Sequence, residues 1–207
     1  MISRLHYITQ ETAIQSHDQS AELACQSGAD WVQLRIKNKP FEECCEIAFK
    51  TKNICEKYGT KLIINDYVEL AKTIKSDGVH LGKLDMSPKE ARNILGDSYI
   101  IGGTANTFED IQQLAAEGVD YIGLGPFRFT TTKANLSPIL GLIGYQKIIR
   151  QCHESGIKIP IIAIGGLNTD DVKELIENGL YGVAVSSAIT HSEDKEGTIR
   201  RFFDALN

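Results

Sequence analysis

Eight short β-rich runs, LHYIT, WVQLRI, KLIIND, GVHLG, YIIGGT, YIGLGPF, IPIIAIGG and GVAVSSA, recur every 20 to 30 residues along the chain, with segments of helical character between them. Strict alternation of strand and helix leaves little choice of architecture, because a strand that rejoins its sheet through a helical crossover runs parallel to the strand before it. The segments 41–58, 107–118, 140–155 and 170–178 carry apolar residues at helical spacing. Their ends are punctuated as helices are, with Thr107 or Asp170 at the start and Gly59, Gly118, Gly156 and Gly179 just past the end. Eight such units in 207 residues suit a closed ring better than an open doubly wound sheet. No G-x-G-x-x-G follows the first strand, where Ile8 and Thr9 lead into Gln10 instead. The expected class is therefore α/β, a single (β/α)₈ TIM barrel, with residues 1–207 forming one catalytic domain and no linker or second domain.

Composition narrows the function. At 42% hydrophobic the chain can bury one substantial core. A net charge of -5 and the lack of any Lys/Arg-rich run argue against a nucleic-acid or anionic-membrane surface, so any phosphate binding must be local. No charged stem with an apolar core opens the chain, and no apolar run approaches the roughly 20 residues that span a bilayer, so a cytoplasmic protein is expected. Cys25, Cys44, Cys45, Cys55 and Cys152 are odd in number and lack C-x-x-C spacing, which reads as reduced thiols filling space.

In such a barrel chemistry gathers at the C-terminal ends of the strands, which with their loops form the concave face. Strand 2 ends in Gln33, Leu34, Arg35, Ile36 and Lys37, and a period of two sends Gln33, Arg35 and Lys37 to one side. Two cations on an interior face call for an anion such as a phosphate or diphosphate, or else for salt bridges at the barrel mouth. Strand 3 ends in Asn65-Asp66, and Asp85 lies three residues beyond Gly82 at the end of strand 4. Adjacent strands are about 4.8 Å apart, so both carboxylates can reach one hard cation, with Mg²⁺ the expected ion. The plainer alternative makes Asp66 a cap for a helix starting at Tyr67 and Asp85 a loop residue before Pro88. Gly165-Gly166 and Ser186-Ser187 end strands 7 and 8, where barrels hold phosphate through backbone N–H groups; the glycines could equally serve the turn alone. The loop 125–141 is long and carries Thr130-Thr131-Thr132-Lys133, a hydroxyl and ammonium set suited to phosphate oxygens or to solvent. His80, central in GVHLG, reads as a hydrogen-bonded core histidine rather than a catalytic one, and Trp31 as packing. The anion-binding groups thus fall into two clusters, Arg35, Lys37, Asn65, Lys133 and a metal in one, Gly166, Ser186 and Ser187 in the other. Two clusters imply two phosphorylated small-molecule ligands, the metal-bearing one suited to a departing diphosphate.

The motifs QLRIK at 33–37, IIND at 63–66 and DGVHLGKLD at 77–85, then YIGLGPF, TTTK, LGL, AIGG and SSAI in order, resemble those of the thiamin-phosphate synthase family over nearly the whole chain. The resemblance implies that Gln33, Leu34, Arg35, Ile36, Lys37, Asn65 and Lys133 bind an aminopyrimidine diphosphate, with Arg35, Lys37 and Lys133 catalytic, and that Thr104 sits near the pyrimidine. It implies that Asp66 and Asp85 hold Mg²⁺, and that Thr130, Thr132, Gly166, Ser186 and Ser187 bind a thiazole phosphate. The implied reaction is dissociative: diphosphate leaves, the pyrimidine methylene becomes a stabilised cation, and the thiazole nitrogen attacks it. No enzyme nucleophile is needed, in keeping with the absence of a Ser-His or Cys-His arrangement, and no obligate protein partner follows. Three positions depart from the pattern: Ile36 replaces Glu, Lys83 replaces Gln and Thr104 replaces Ser. Lys83 matters most, because a cation beside the proposed metal could weaken it or help hold diphosphate. The rival readings are a thiazole tautomerase on the same barrel and a non-catalytic thiazole-phosphate-binding barrel. Neither needs the charged set retained here.

Overall fold

The computed structural model describes residues 1–130 and 137–207. Among them eight parallel strands close into a barrel in sequence order, and the last pairs with the first through Leu5↔Val183 and Tyr7↔Val185. The strands are β1 (Leu5–Ile8), β2 (Trp31–Leu34), β3 (Lys61–Asn65), β4 (Gly78–Leu81), β5 (Ile100–Ala105), β6 (Tyr121–Leu124), β7 (Ile161–Ile164) and β8 (Gly182–Val185). The outer layer comprises α1 (His17–Gln26), α2 (Phe41–Tyr58), α3 (Val68–Ile74), α4 (Pro88–Leu95), α5 (Phe108–Ala116), α6 (Gly141–Glu154), α7 (Thr169–Glu177), the one-turn α8 (Ser187–Thr190) and α9 (Lys195–Leu206). Helix α2 matches the expected span 41–58. Its end is set by Gly59, whose φ of 67° is the left-handed conformation open to glycine at little cost.

Thr107 caps α5 as expected, accepting a hydrogen bond from the Asp110 N–H. Helix α7 differs. Its cap is Asn168, two residues before Asp170, because the Asn168 side-chain oxygen accepts from the Asp170 N–H while Asp171 reaches back to the Asn168 N–H.

The period of two along each strand builds two cores. Leu5, Tyr7, Val32, Leu34, Leu62, Ile64, Val79, Leu81, Ile122, Leu124 and Val183 face the helices, while Ile8, Trp31, Ile63, Tyr121, Ile162 and Ala184 fill the barrel interior. His6 joins the interior set. It is 1% exposed, stacks on Trp31 with ring centroids 4.3 Å apart, and donates from Nε2 to the Ser3 carbonyl at 3.0 Å. The base of the barrel is thus a plug of rings, and the open end is where polar groups collect. All five cysteines carry free thiols. No helix among the described residues is long and apolar enough to cross a membrane.

Candidate active site

A cavity of about 620 Å³ occupies the C-terminal end of the barrel, and every strand or the loop after it contributes to its wall. The volume falls in the range of small-molecule sites. Gln33, Arg35, Lys37, Asn65, Asp66, Asp85, Thr104, Thr130, Gly166, Ser186 and Ser187 all line it. Residues up to 154 positions apart therefore converge, and they arrive from opposite sides: β3 and β7 face each other across an eight-strand ring. Leu34 and Ile36 do not line the cavity. Their side chains are 1% and 3% exposed in the core between sheet and helices, so alternation within QLRIK leaves only their main chain near a ligand. Thr132 and Lys133 lie outside the described residues.

The cationic side is held from behind. Strand β2 stops at Leu34, so Arg35 and Lys37 stand on the loop that follows rather than on the strand itself. The Arg35 N–H donates to Thr9 Oγ1 at 3.1 Å, and that hydroxyl also meets His17 Nδ1 at 2.9 Å. Thr9 and His17 thereby fix where Arg35 leaves the barrel, a supporting role that no sequence motif signalled. Burial lowers the Arg35 pKa, and the nearby Asp66 carboxylate works against that shift. Gln33 donates from Nε2 to Asn65 Oδ1 at 2.8 Å, which orients the Asn65 amide N–H₂ as a remaining donor.

Asp66 is not a helix cap. Helix α3 is preceded by Tyr67 with no side-chain cap, and Asp66 itself adopts φ 67°, uncommon for a residue with a side chain. Its carboxylate pairs with the Lys37 ammonium. Asp85 Oδ2 accepts from the Gly82 N–H at 2.7 Å. Burial, together with hydrogen-bonding contact with Asp66, pushes the Asp85 pKa up, the behaviour of two carboxyl groups crowded into one place. Among the described residues no cluster of three or more His, Cys, Asp or Glu side chains could hold a metal. The Asp66 and Asp85 carboxylates both line the cavity.

Lys83 also lines the cavity, but its charge is already engaged. Its ammonium pairs with Asp110, the residue whose carboxylate also takes the Asn106 N–H at 2.8 Å and the Thr107 N–H at 2.9 Å. Burial alone would raise the Asp110 pKa, but Lys83 and the two N–H donors outweigh it and hold it down. The cation that departs from the usual family pattern is therefore engaged at the head of α5.

On the opposite wall Gly165 and Gly166 take φ 102° and 69°. A Cβ on Gly166 would fall 2.5 Å from Arg128 Cγ and 3.0 Å from the Phe129 carbonyl oxygen, so the turn requires glycine on two counts. Arg128 clamps that turn, donating to the Gly166 carbonyl at 2.8 Å and forking onto both oxygens of Asp171. Ser186 leads into α8, with its hydroxyl 3.4 Å from Gln10 Oε1. His80 lies between the two walls. It is buried and hydrogen-bonded, as its sequence setting suggested, yet it also lines the cavity.

Comparison with known proteins identifies the family. A family model described as thiamine monophosphate synthase matches residues 5–189. A thiamine-phosphate synthase of Bacteroides fragilis is 48% identical over 200 residues, covering 97% of this chain and 98% of the relative. One of Flavobacterium johnsoniae is 48% identical over 206 residues, covering 100% and 97%. Among solved structures, a thiamine phosphate pyrophosphorylase from Pyrococcus furiosus superposes with a TM-score of 0.84 at 30% identity, covering 98% of this chain and 95% of that one. With barrel, ordered motifs and near-complete coverage in accord, the chain belongs to the thiamine monophosphate synthase family, enzymes of thiamin biosynthesis.

Proposed function

We propose that the chain condenses 4-amino-2-methyl-5-hydroxymethylpyrimidine diphosphate with 4-methyl-5-(2-hydroxyethyl)thiazole phosphate, releasing pyrophosphate and thiamin phosphate. The observation that carries this reading is the pair of opposed anion-accepting walls in one cavity, Gln33, Arg35, Lys37 and Asn65 facing Gly166, Ser186 and Ser187. Two phosphorylated substrates held this way would present the pyrimidine methylene to the thiazole nitrogen between them, converting a bimolecular encounter into a positioned one.

Asp66 and Asp85 would hold Mg²⁺. The donor set fits that ion: two hard carboxylate groups lie close enough that burial and the nearness of Asp66 raise the Asp85 pKa, and a divalent cation would offset that crowding. When bound, the ion supplies charge neutralisation on the diphosphate as it departs. The half-buried Arg35 guanidinium and the Lys37 ammonium would bind the same leaving group, with Lys133 added from the loop. Asn65 would donate its free amide hydrogens to it. On the other wall the main-chain N–H groups around Gly166, Ser186 and Ser187 would take the thiazole phosphate, joined by Thr130 and Thr132. With both reactants seated, the cavity would hold little water near the pyrimidine cation before the thiazole reaches it.

A thiazole tautomerase or a binding-only barrel would need no diphosphate- and metal-binding set of the kind that Arg35, Lys37, Asp66 and Asp85 would supply. The test is a coupled assay for thiamin phosphate and pyrophosphate with Mg²⁺ and each substrate omitted in turn. Product only with all three present is the expected result. Folded protein that forms none would overturn the reading, as would full activity in EDTA for the metal assignment.

A further inference from the structure

One polar connection links the ring plug at the base of the barrel to the cavity above it. The Tyr121 hydroxyl, on a side chain only 1% exposed, lies 3.0 Å from His80 Nδ1, and His80 Nε2 lies 2.9 Å from Thr104 Oγ1. His80 and Thr104 line the cavity, while Tyr121 belongs to the interior core beneath it.

The direction of this chain follows from its buried end. Among the described residues the Tyr121 hydroxyl has no hydrogen-bond partner besides His80. Its proton would be stranded if Nδ1 were itself a donor, and leaving a buried donor unmade costs free energy that a change of tautomer avoids. Burial also raises the Tyr121 pKa, so the proton stays in place. His80 must then accept at Nδ1, which makes the ring neutral and puts its hydrogen on Nε2. That hydrogen is donated to Thr104 Oγ1. With one lone pair of its oxygen already engaged, the Thr104 hydroxyl hydrogen is left to point into the cavity.

The arrangement is held rigidly. The Tyr121 ring is fixed edge-on against Trp31 and His6, with centroids 5.6 and 5.0 Å away. Gly102 leaves the slot it occupies, since a Cβ there would lie 2.2 Å from Tyr121 Cζ. Gly123 does the same for His80, with a Cβ meeting Cε1 at 3.1 Å.

We propose that Tyr121 and His80 are positioning residues that fix the Thr104 hydroxyl as a hydrogen-bond donor toward the pyrimidine, so that the site selects a ring-nitrogen lone pair at that spot. This rests on the reading that Thr104 faces the pyrimidine substrate. The ligand feature recognised is an aromatic nitrogen acceptor, and a C–H in its place would meet a donor with nothing to accept it.

The test compares wild type, Tyr121→Phe, His80→Phe and Thr104→Val. Michaelis constants are measured for both substrates, together with inhibition by the aminopyrimidine monophosphate and by its two analogues with one ring nitrogen replaced by C–H. In wild type one analogue should bind about ten-fold or more weakly than the parent. In Tyr121→Phe the pyrimidine Michaelis constant should rise about five- to twenty-fold, the analogue preference should shrink to within about three-fold, and the thiazole constant should change less than about two-fold. His80→Phe cuts the chain in the middle and should show the same collapse of preference, which keeps the idea testable if one variant folds poorly. A residue of purely structural importance would lower the melting temperature and leave ring-nitrogen preference intact. Wild-type preference in Tyr121→Phe and His80→Phe, with preference lost in Thr104→Val, overturns the relay and leaves Thr104 at the pyrimidine. An unchanged pyrimidine constant in Thr104→Val overturns the placement of Thr104 and the relay with it.

Discussion

His6→Phe should make the protein more acid-resistant while making it slightly less stable at neutral pH. His6 is fully enclosed by the ring plug, and burial, opposed only in part by the bond to Ser3, pulls its pKa from 6.5 to about 3. The folded value lies below the unfolded one, so the unfolded chain takes up its proton first. Stability attributable to a neutral His6 is therefore complete above pH 6.5 and drains away as the pH falls toward 3. Each pH unit inside that window is worth about 1.4 kcal/mol. At pH 5.0 the wild-type protein should have lost about 2 kcal/mol through this one residue. Phenylalanine preserves the stack on Trp31 and removes the titration, at the expense of the bond to Ser3, about 1 kcal/mol. The two stabilities should cross near about pH 5.8, where loss and gain balance.

Urea unfolding at several pH values, followed by fluorescence, measures this directly, because Trp31 is the chain's one tryptophan and stacks on the substituted ring. The comparison between the two proteins matters more than either curve alone. His17 also has its pKa lowered by burial, and its contribution cancels in the difference. A stability difference that stays constant from pH 7.5 to 5.0 would refute the reasoning, since it would mean that His6 titrates alike in folded and unfolded chains.

Other outcomes follow from the site. Asp85→Asn keeps the hydrogen-bond acceptor for Gly82 but removes one of the two carboxylates proposed to hold Mg²⁺, so steady-state turnover should fall about a hundred-fold or more with the melting temperature nearly unchanged. Lys83→Gln should leave the Mg²⁺ dependence of the rate within about two-fold of wild type, because the ammonium is engaged with Asp110; a sharply lower Mg²⁺ requirement would show that it does act on the metal. Gly166→Ala forces a side chain into a left-handed turn and against Arg128, and should cost about 1 to 3 kcal/mol in denaturant unfolding while raising the thiazole-phosphate Michaelis constant more than the pyrimidine one.

The barrel was legible in the sequence because both of its periods are written in residue type. Alternation along WVQL separates Trp31 and Gln33 from Val32 and Leu34, and the structure sends the first pair inward and the second toward the helices. The same alternation placed Gln33 correctly but carried the strand past its end, because Arg35 and Lys37 keep to the cavity side on a loop that the β2–β3 pairing no longer includes. Helix capping was legible at Thr107, where a hydroxyl precedes an acidic third residue. It was misplaced at α7, where Asn168 and Asp170 are both good caps by type and only the reach of the Asn168 side chain decides between them. What sequence could not supply was the partner on the neighbouring strand-loop unit. Nothing near Lys83 in the chain names Asp110, 27 residues away, and nothing near Arg35 names Thr9 or His17.

Stability and chemistry coexist on the same strands because they occupy different levels. Two residues of advance along a strand is about 6.6 Å, and that one step turns Trp31 into Gln33 and Ile63 into Asn65: from interior core to cavity wall. Substitutions at the lower level should act on folding, and those at the upper level on binding. His80 is the exception that the geometry singles out, since it is anchored to Tyr121 below and to Thr104 above. Here a group in the cavity is hydrogen-bonded through to the packed rings at the base of the barrel. Loosening the Trp31, His6 and Tyr121 rings should therefore be felt in the cavity through Thr104.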